Sequence, residues 1–183
     1  MLIISLLIMA VVVAVDQLTK RAVLGAIGIG GTPVAVIDRF FYITCHRNSG
    51  AAWGLLKNGR VFFLILTPVL VAAMIFFMFR CADALPRIAV SFIIGGAVGN
   101  YIDRAAVGSV VDFLDFYIFG YNFPTFNAAD SAIVFGAALM IAYLMFTEKG
   151  KAFMSPPADK KGPGAEAGEG ENAGDGGGAD DSR

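Results

Sequence analysis

Histidine and cysteine are scarce in this chain, with one His and two Cys among 183 residues. A Cys/His zinc site takes about four such ligands, so that chemistry is not expected. Charge is thin as well. Asp, Glu, Lys and Arg make up 16% of the residues, against about 25% in an ordinary soluble domain. What fills the space is apolar: 57% of the chain, with a mean hydropathy of +0.70. That composition excludes a typical soluble enzyme and calls for a membrane solvent.

The apolar residues are gathered into blocks. Val61 to Phe79 runs 19 residues without a charge, interrupted only by Thr67 and Pro68. About 20 apolar residues at ~1.5 Å rise cross a ~30 Å hydrocarbon core. Leu2 to Val15, Ile88 to Ile102 and Ser131 to Phe146 are shorter, and each reaches spanning length only by taking in polar neighbours. Four transmembrane helices are expected. The borrowed polar residues are the main clue to function.

The formal net charge of −1 hides a split. From Ser155 onward seven acids face three bases in a Gly/Ala-rich stretch with almost no large apolar residue. Such a segment cannot bury enough surface to offset its ordering entropy, so residues 155–183 are expected to be a disordered acidic tail. The working domain is then 1–154. The first apolar block lacks a basic n-region, and Asp16-Gln17-Leu18-Thr19-Lys20-Arg21 follows it where a small-residue cleavage site would stand. Retention as a helix is expected.

Four helices alternate direction. The end of helix 1, the end of helix 3 and the start of helix 4 therefore share one side, with Asp16, Lys20, Asn100, Asp103, Arg104, Asp112, Asp115, Asn127 and Asp130. Between helices 1 and 2, residues about 28–60 include two β-branched and aromatic pieces, Pro33 to Ile37 and Phe40 to Cys45. These read as short strands that could cradle an extended peptide or serve only as an ordered connector. The expected fold class is an all-α polytopic membrane protein, with four transmembrane helices and a small strand-rich subdomain between helices 1 and 2. The positive-inside rule weights short loops and makes the Arg80/Arg87 turn cytoplasmic, although a raw count of bases points the other way. Cys45 and Cys81 fall on opposite sides, so no intramolecular disulfide is expected.

Asp16 and Lys20 are four apart, on one face of a helix that must run on towards Ile27 to span. An ionisable pair at membrane depth is either functional or a structural anchor. Gly95 and Gly99 form a small-xxx-small face for close helix approach. Arg104 offers a fixed fork for carboxylates and carbonyls. Asp112 and Asp130 both lie among apolar residues on the shared side. Two poorly solvated carboxylates cannot comfortably both ionise, so one would hold a proton while the other takes one from water. The residues alone also allow a plainer reading: Asp130 as a helix N-terminal acid, Asp112 as an interfacial one. Two other functions use the same acids. One is an ion-coupled transporter; the other is a lipid-phosphate enzyme holding Mg²⁺ on Asp112-x-x-Asp115.

Five motifs occur in order: Asp16-Gln17-Leu18-Thr19-Lys20, Arg47-Asn48-Ser49-Gly50-Ala51-Ala52-Trp53, Gly99-Asn100-Tyr101-Ile102-Asp103-Arg104, Val110-Val111-Asp112-Phe113 and Phe126-Asn127-Ala128-Ala129-Asp130-Ser131. Together they resemble the lipoprotein signal peptidase (type II signal peptidase) family over roughly the first 150 residues. The resemblance implies an aspartic endopeptidase of the bacterial inner membrane that cuts prolipoproteins just before a diacylglyceryl-modified Cys. It implies Asp112 and Asp130 as the catalytic dyad, supported by Asp16, Lys20, Asn48, Gly50, Ala51, Asn100, Arg104 and Asn127. No metal or cofactor is implied. The partners implied are the lipidated substrate and membrane lipid, with no nucleic acid; a monomer is expected. Both termini would be cytoplasmic and the site extracytoplasmic. Two positions depart from the family's usual pattern: Trp53 stands where Phe is common, and His46 where an apolar residue is. A catalytic role for His46 is not expected, because an aspartic dyad needs no histidine base.

Overall fold

The structure, a computed structural model, describes residues 1–50 and 59–154. Helix α1 spans Leu2–Ala26, α2 Arg60–Arg80, α3 Ala84–Val107 and α4 Ala128–Phe146, and each is long and apolar enough to cross a membrane. A short helix α5, Glu148–Met154, follows α4. As expected, α1 continues through Asp16 and Lys20, because its first apolar block alone is too short to span.

Helix α3 is the hub, packed against α1, α2 and α4. Its outer partners turn Leu6, Val11, Val15, Val61, Ile65, Val69, Val134 and Ile141 outward, exposed where lipid would lie. Glycines on α3 set the spacing. Gly95 faces Met9 and Val12 of α1, and a Cβ on Gly99 would stand 2.6 Å from the Asp16 carboxylate. Gly96 abuts the backbone carbonyl of Ala129 at the start of α4. Gly96→Ala drives a methyl into that backbone and pushes away the turn that carries Asp130. The expected cost is about 1–3 kcal/mol, read as a lower Tm in detergent. Gly25→Ala, whose new Cβ would meet nothing within 4 Å, is the neutral control.

The strands require a correction. β1 (Val34–Ile37) and β2 (Phe41–Asn48) lie between α1 and α2 as expected, but β3 (Val110–Ile118) and β4 (Tyr121–Asn122) come from between α3 and α4. All are antiparallel in the order β1-β2-β3-β4. The strand-rich part is therefore not confined to residues 28–60, and the chain is not all-α. The physical reason is visible in Val110-Val111-Asp112-Phe113-Leu114-Asp115-Phe116-Tyr117-Ile118, a β-branched and aromatic run that gives β2 the partner its open edge needs. Asp112 sits on this strand, opposite His46 in the register. Phe41, Phe116 and Phe126 stack along the same face as Asp112, with centroids 4.4 and 5.7 Å apart.

Candidate active site

Two polar layers meet where α1, α3, α4 and β3 converge. The deeper one is built on Lys20. Its ammonium lies 2.8 Å from Asp16 Oδ2, 2.9 Å from Asp103 Oδ2 and 3.0 Å from Asn100 Oδ1. Those three contacts use all three donors of the ammonium. Asp16 is fully buried and its Oδ1 accepts the Ala129 backbone N–H at 3.0 Å, so one carboxylate ties α1 to the positive end of α4. Gln17 donates to Asp103 Oδ1 at 2.9 Å and to the Gly99 carbonyl at 3.2 Å. Sequence reasoning left Gln17 out of the site and left Asp103 open between an interfacial charge anchor and part of a site. Their signal was adjacency, since Gln17 neighbours Asp16 and Asp103 lies one turn beyond Gly99-Asn100.

The upper layer carries the two acids. Asn100 Oδ1 receives Lys20 and, at 3.2 Å, Asn127 Nδ2, which fixes the amide so that Asn100 Nδ2 donates to Asp130 Oδ1 at 2.7 Å. Asn127 Nδ2 also donates to Asp112 Oδ1 at 2.7 Å, while its backbone N–H donates to Asp130 Oδ2 at 3.2 Å. One residue thus touches both carboxylates. Asn48 Nδ2 completes Asp112, donating to Oδ2 at 3.0 Å, and Asn48 Oδ1 accepts the Gly50 N–H at 3.0 Å. The plainer reading of Asp130 is also present. It closes a capping box with Asn127 at the start of α4, so its backbone role fixes where its carboxylate stands.

Burial is the main force on Asp112, which is 4% exposed. It raises the carboxyl to about 6, helped by the negative charge of Asp130 and opposed by hydrogen bonds from Asn48 and Asn127. Arg104 donates to the Gly50 carbonyl at 3.1 Å, its guanidinium 4.4 Å over the Phe63 ring. Arg104 Nε is buried with no partner among the described residues. Asn48, Gly50, Asn100, Arg104, Asp112 and Asp130 all line one cavity of about 450 Å³, whose other walls are mostly apolar side chains such as Phe63, Leu66, Leu70 and Ile133. The arrangement can hold an extended polar backbone at one end and leave greasy substituents against the helices.

Ala51 and Trp53 lie outside the described residues. His46 is exposed on β2. Its charge bears on Asp115, whose carboxyl burial pushes up and His46 pulls back. Asp112 and Asp115, three apart on a strand, project to opposite faces and do not form one metal site. Away from the polar layers Met78, Val90 and Ile94 form a buried apolar cluster, packed by Met9, Val71, Met74 and Met140.

Comparison with known proteins bears on the same residues. A family model for signal peptidase (SPase) II matches residues 8–146, which includes every described side chain of the two layers. The chain belongs to the signal peptidase II family. Two solved structures, each described as a bacterial membrane enzyme determined by the in meso method, have closely similar folds. The one at 2.3 Å resolution is 41% identical, with a TM-score of 0.74 over 84% of this chain and 92% of that one. The one at 1.9 Å is 43% identical, with a TM-score of 0.71 over 78% and 92%. As a signal peptidase II family member the chain is a membrane-integral peptidase of lipoprotein processing, and its elements form one continuous scaffold from α1 to α4.

Proposed function

We propose that this peptidase cuts diacylglyceryl-modified prolipoproteins immediately before the lipidated Cys, using Asp112 and Asp130 as an aspartic dyad. The observation that carries the reading is Asn127, hydrogen-bonded to both carboxylates in one partly apolar cavity. Two acids held by one residue, Asp112 by the Asn127 side-chain amide and Asp130 by its backbone N–H, can share one proton and one water. One carboxylate takes a proton from that water as its oxygen attacks the scissile carbonyl. The other, protonated, donates to the carbonyl oxygen, giving a tetrahedral diol. Collapse of the diol breaks the C–N bond as the nitrogen gains a proton from the dyad. Arg104, with Nε unspent, holds a carbonyl of the bound peptide, while Asn48 and Gly50 fix the strand edge beside it. The acyl chains stay in lipid against Phe63, Leu66 and Leu70.

In this reading the polar layers face the extracytoplasmic side of a bacterial inner membrane and both termini lie in the cytoplasm. Residues 1–154 are the working unit, acting as a monomer, and the acidic tail 155–183 is dispensable for chemistry. The direct test incubates the detergent-solubilised protein with a synthetic diacylated lipobox peptide and its unlipidated twin, with chelator present, and weighs the products. Cleavage N-terminal to the lipidated Cys alone supports the proposal. Cleavage elsewhere, or loss of activity with the chelator, contradicts it.

The raised carboxyl at Asp112 sets a pH dependence. The monoprotonated dyad is the active form, and it loses its shared proton as pH rises through about 6. kcat/KM, which reports the free enzyme, should therefore fall on the alkaline side with an apparent pKa that belongs to the pair. The Asn48 hydrogen bond favours the ionised form, so Asn48→Ala should move that limb to higher pH. A limb that moves to lower pH would contradict the assignment.

A further inference from the structure

The sheet has a second face that the peptidase chemistry does not use. Asp115 projects there, 6% exposed, and its Oδ1 has no hydrogen-bond partner among the described residues. It lines a cavity of about 460 Å³ with Pro33, Arg39, Tyr42, Tyr117 and Gly120. Tyr42 and Tyr117 meet edge to face with centroids 5.5 Å apart. Two aromatic walls beside an unsatisfied carboxylate suit an ammonium group. Arg39 brings the opposite charge to the same cavity. Its guanidinium is nearly fully exposed and lies 3.7 Å from Asp38. A ligand that satisfies both ends carries a cation and an anion a few atoms apart.

The rim indicates where such a ligand resides. The two turns beside the cavity and the strand ends that flank them carry Ile37, Phe40, Phe119 and Tyr121, all exposed. Phe119 is wholly uncovered and adopts φ 51°, and Arg39 adopts φ 59°. A bulky side chain in the left-handed region is strained, and such hairpin tips usually carry Asn or Asp. Water rewards neither that strain nor the bare ring. A bilayer interface rewards aromatic and apolar tips of this kind.

We propose that this end of the sheet rests on the membrane surface and that the Asp115 cavity takes the headgroup of an aminophospholipid. The ammonium lies on Asp115 between Tyr42 and Tyr117, and the phosphate lies on Arg39. A primary ammonium is required because Oδ1 lacks a donor, and a choline group has no N–H to give. The assignment rests on the chain being embedded in a membrane, not on which peptide bond it cuts.

Native mass spectrometry of the full-length protein, released from micelles doped with phosphatidylethanolamine, phosphatidylcholine and N-acetylated phosphatidylethanolamine, tests it. The protein should retain phosphatidylethanolamine about fivefold or more over the other two, the size of one partly desolvated ammonium contact. Asp115→Asn should bring the three lipids to parity. Arg39→Ala, a change at an exposed side chain, should weaken retention of phosphatidylethanolamine in a chain that folds normally. Equal retention of the N-acetylated lipid by the unaltered protein would overturn the proposal. So would an unchanged preference in both variants, or displacement of the lipid by a water-soluble lysyl peptide.

Discussion

Asp112→Asn and Asp130→Asn should each abolish lipopeptide cleavage, by roughly 10³-fold or more, in protein that remains inserted and folded. General acid–base catalysis contributes about 10²–10⁴-fold, and here each acid has a distinct part of one proton relay. Neither change removes volume. At position 112 the amide still fills the space between Asn48 and Asn127, and at 130 it still lies between Asn100 and the Asn127 backbone. The measurement is the initial rate on the diacylated peptide, beside the elution volume and Tm of each variant. A variant that folds and retains a tenth of the activity would remove its acid from the dyad.

Lys20→Met should produce the largest loss of stability. Lys20 is 3% exposed and its ammonium is shared by Asp16, Asp103 and Asn100. Removing it leaves the buried Asp16 and the partly buried Asp103 carboxylates without their counter-charge, and breaking a buried pair such as Lys20–Asp16 from one side costs about 3–5 kcal/mol. The damage should also reach the chemistry. Without the Lys20 donor, Asn100 Oδ1 keeps only Asn127, and the Asn100 amide no longer has a fixed orientation towards Asp130. Neutralising one of the stranded acids tests this account. Lys20→Met combined with Asp16→Asn should be less destabilised than the sum of the two single changes. Thermal melting in one detergent, with the cleavage rate measured beside it, reads both effects. Additive losses would mean that the two residues do not form one network.

Much of this architecture was legible in the residues. Helix lengths followed from the apolar blocks and the polar residues each had to borrow, and those borrowed residues are the ones the structure brings together at one end of the bundle. Asp16 and Lys20 were placed on one face by their spacing alone. The origin of half the sheet was harder to see: Val110 to Ile118 is a β-branched and aromatic run, but its partner β2 lies more than sixty residues earlier, so the pairing is not local in the sequence. The same strand decides that Asp112 and Asp115 part company, one towards the helices and one away. Periodicity would have separated them had the segment been read as β. Gln17 is a neutral amide and carries no charge signal in the sequence, yet its two contacts link α1 to α3.

The central claim is that Asp112 and Asp130 act together on one tetrahedral centre. A crystal structure of the protein with a diacylated lipobox peptide, its scissile amide replaced by a secondary alcohol, tests that claim most directly. The account predicts the alcohol oxygen at about 2.5–3.0 Å from a carboxylate oxygen of each residue, the range of a hydroxyl–carboxyl hydrogen bond. An alcohol bound in the cavity but touching only one of the two acids, or neither, would contradict it.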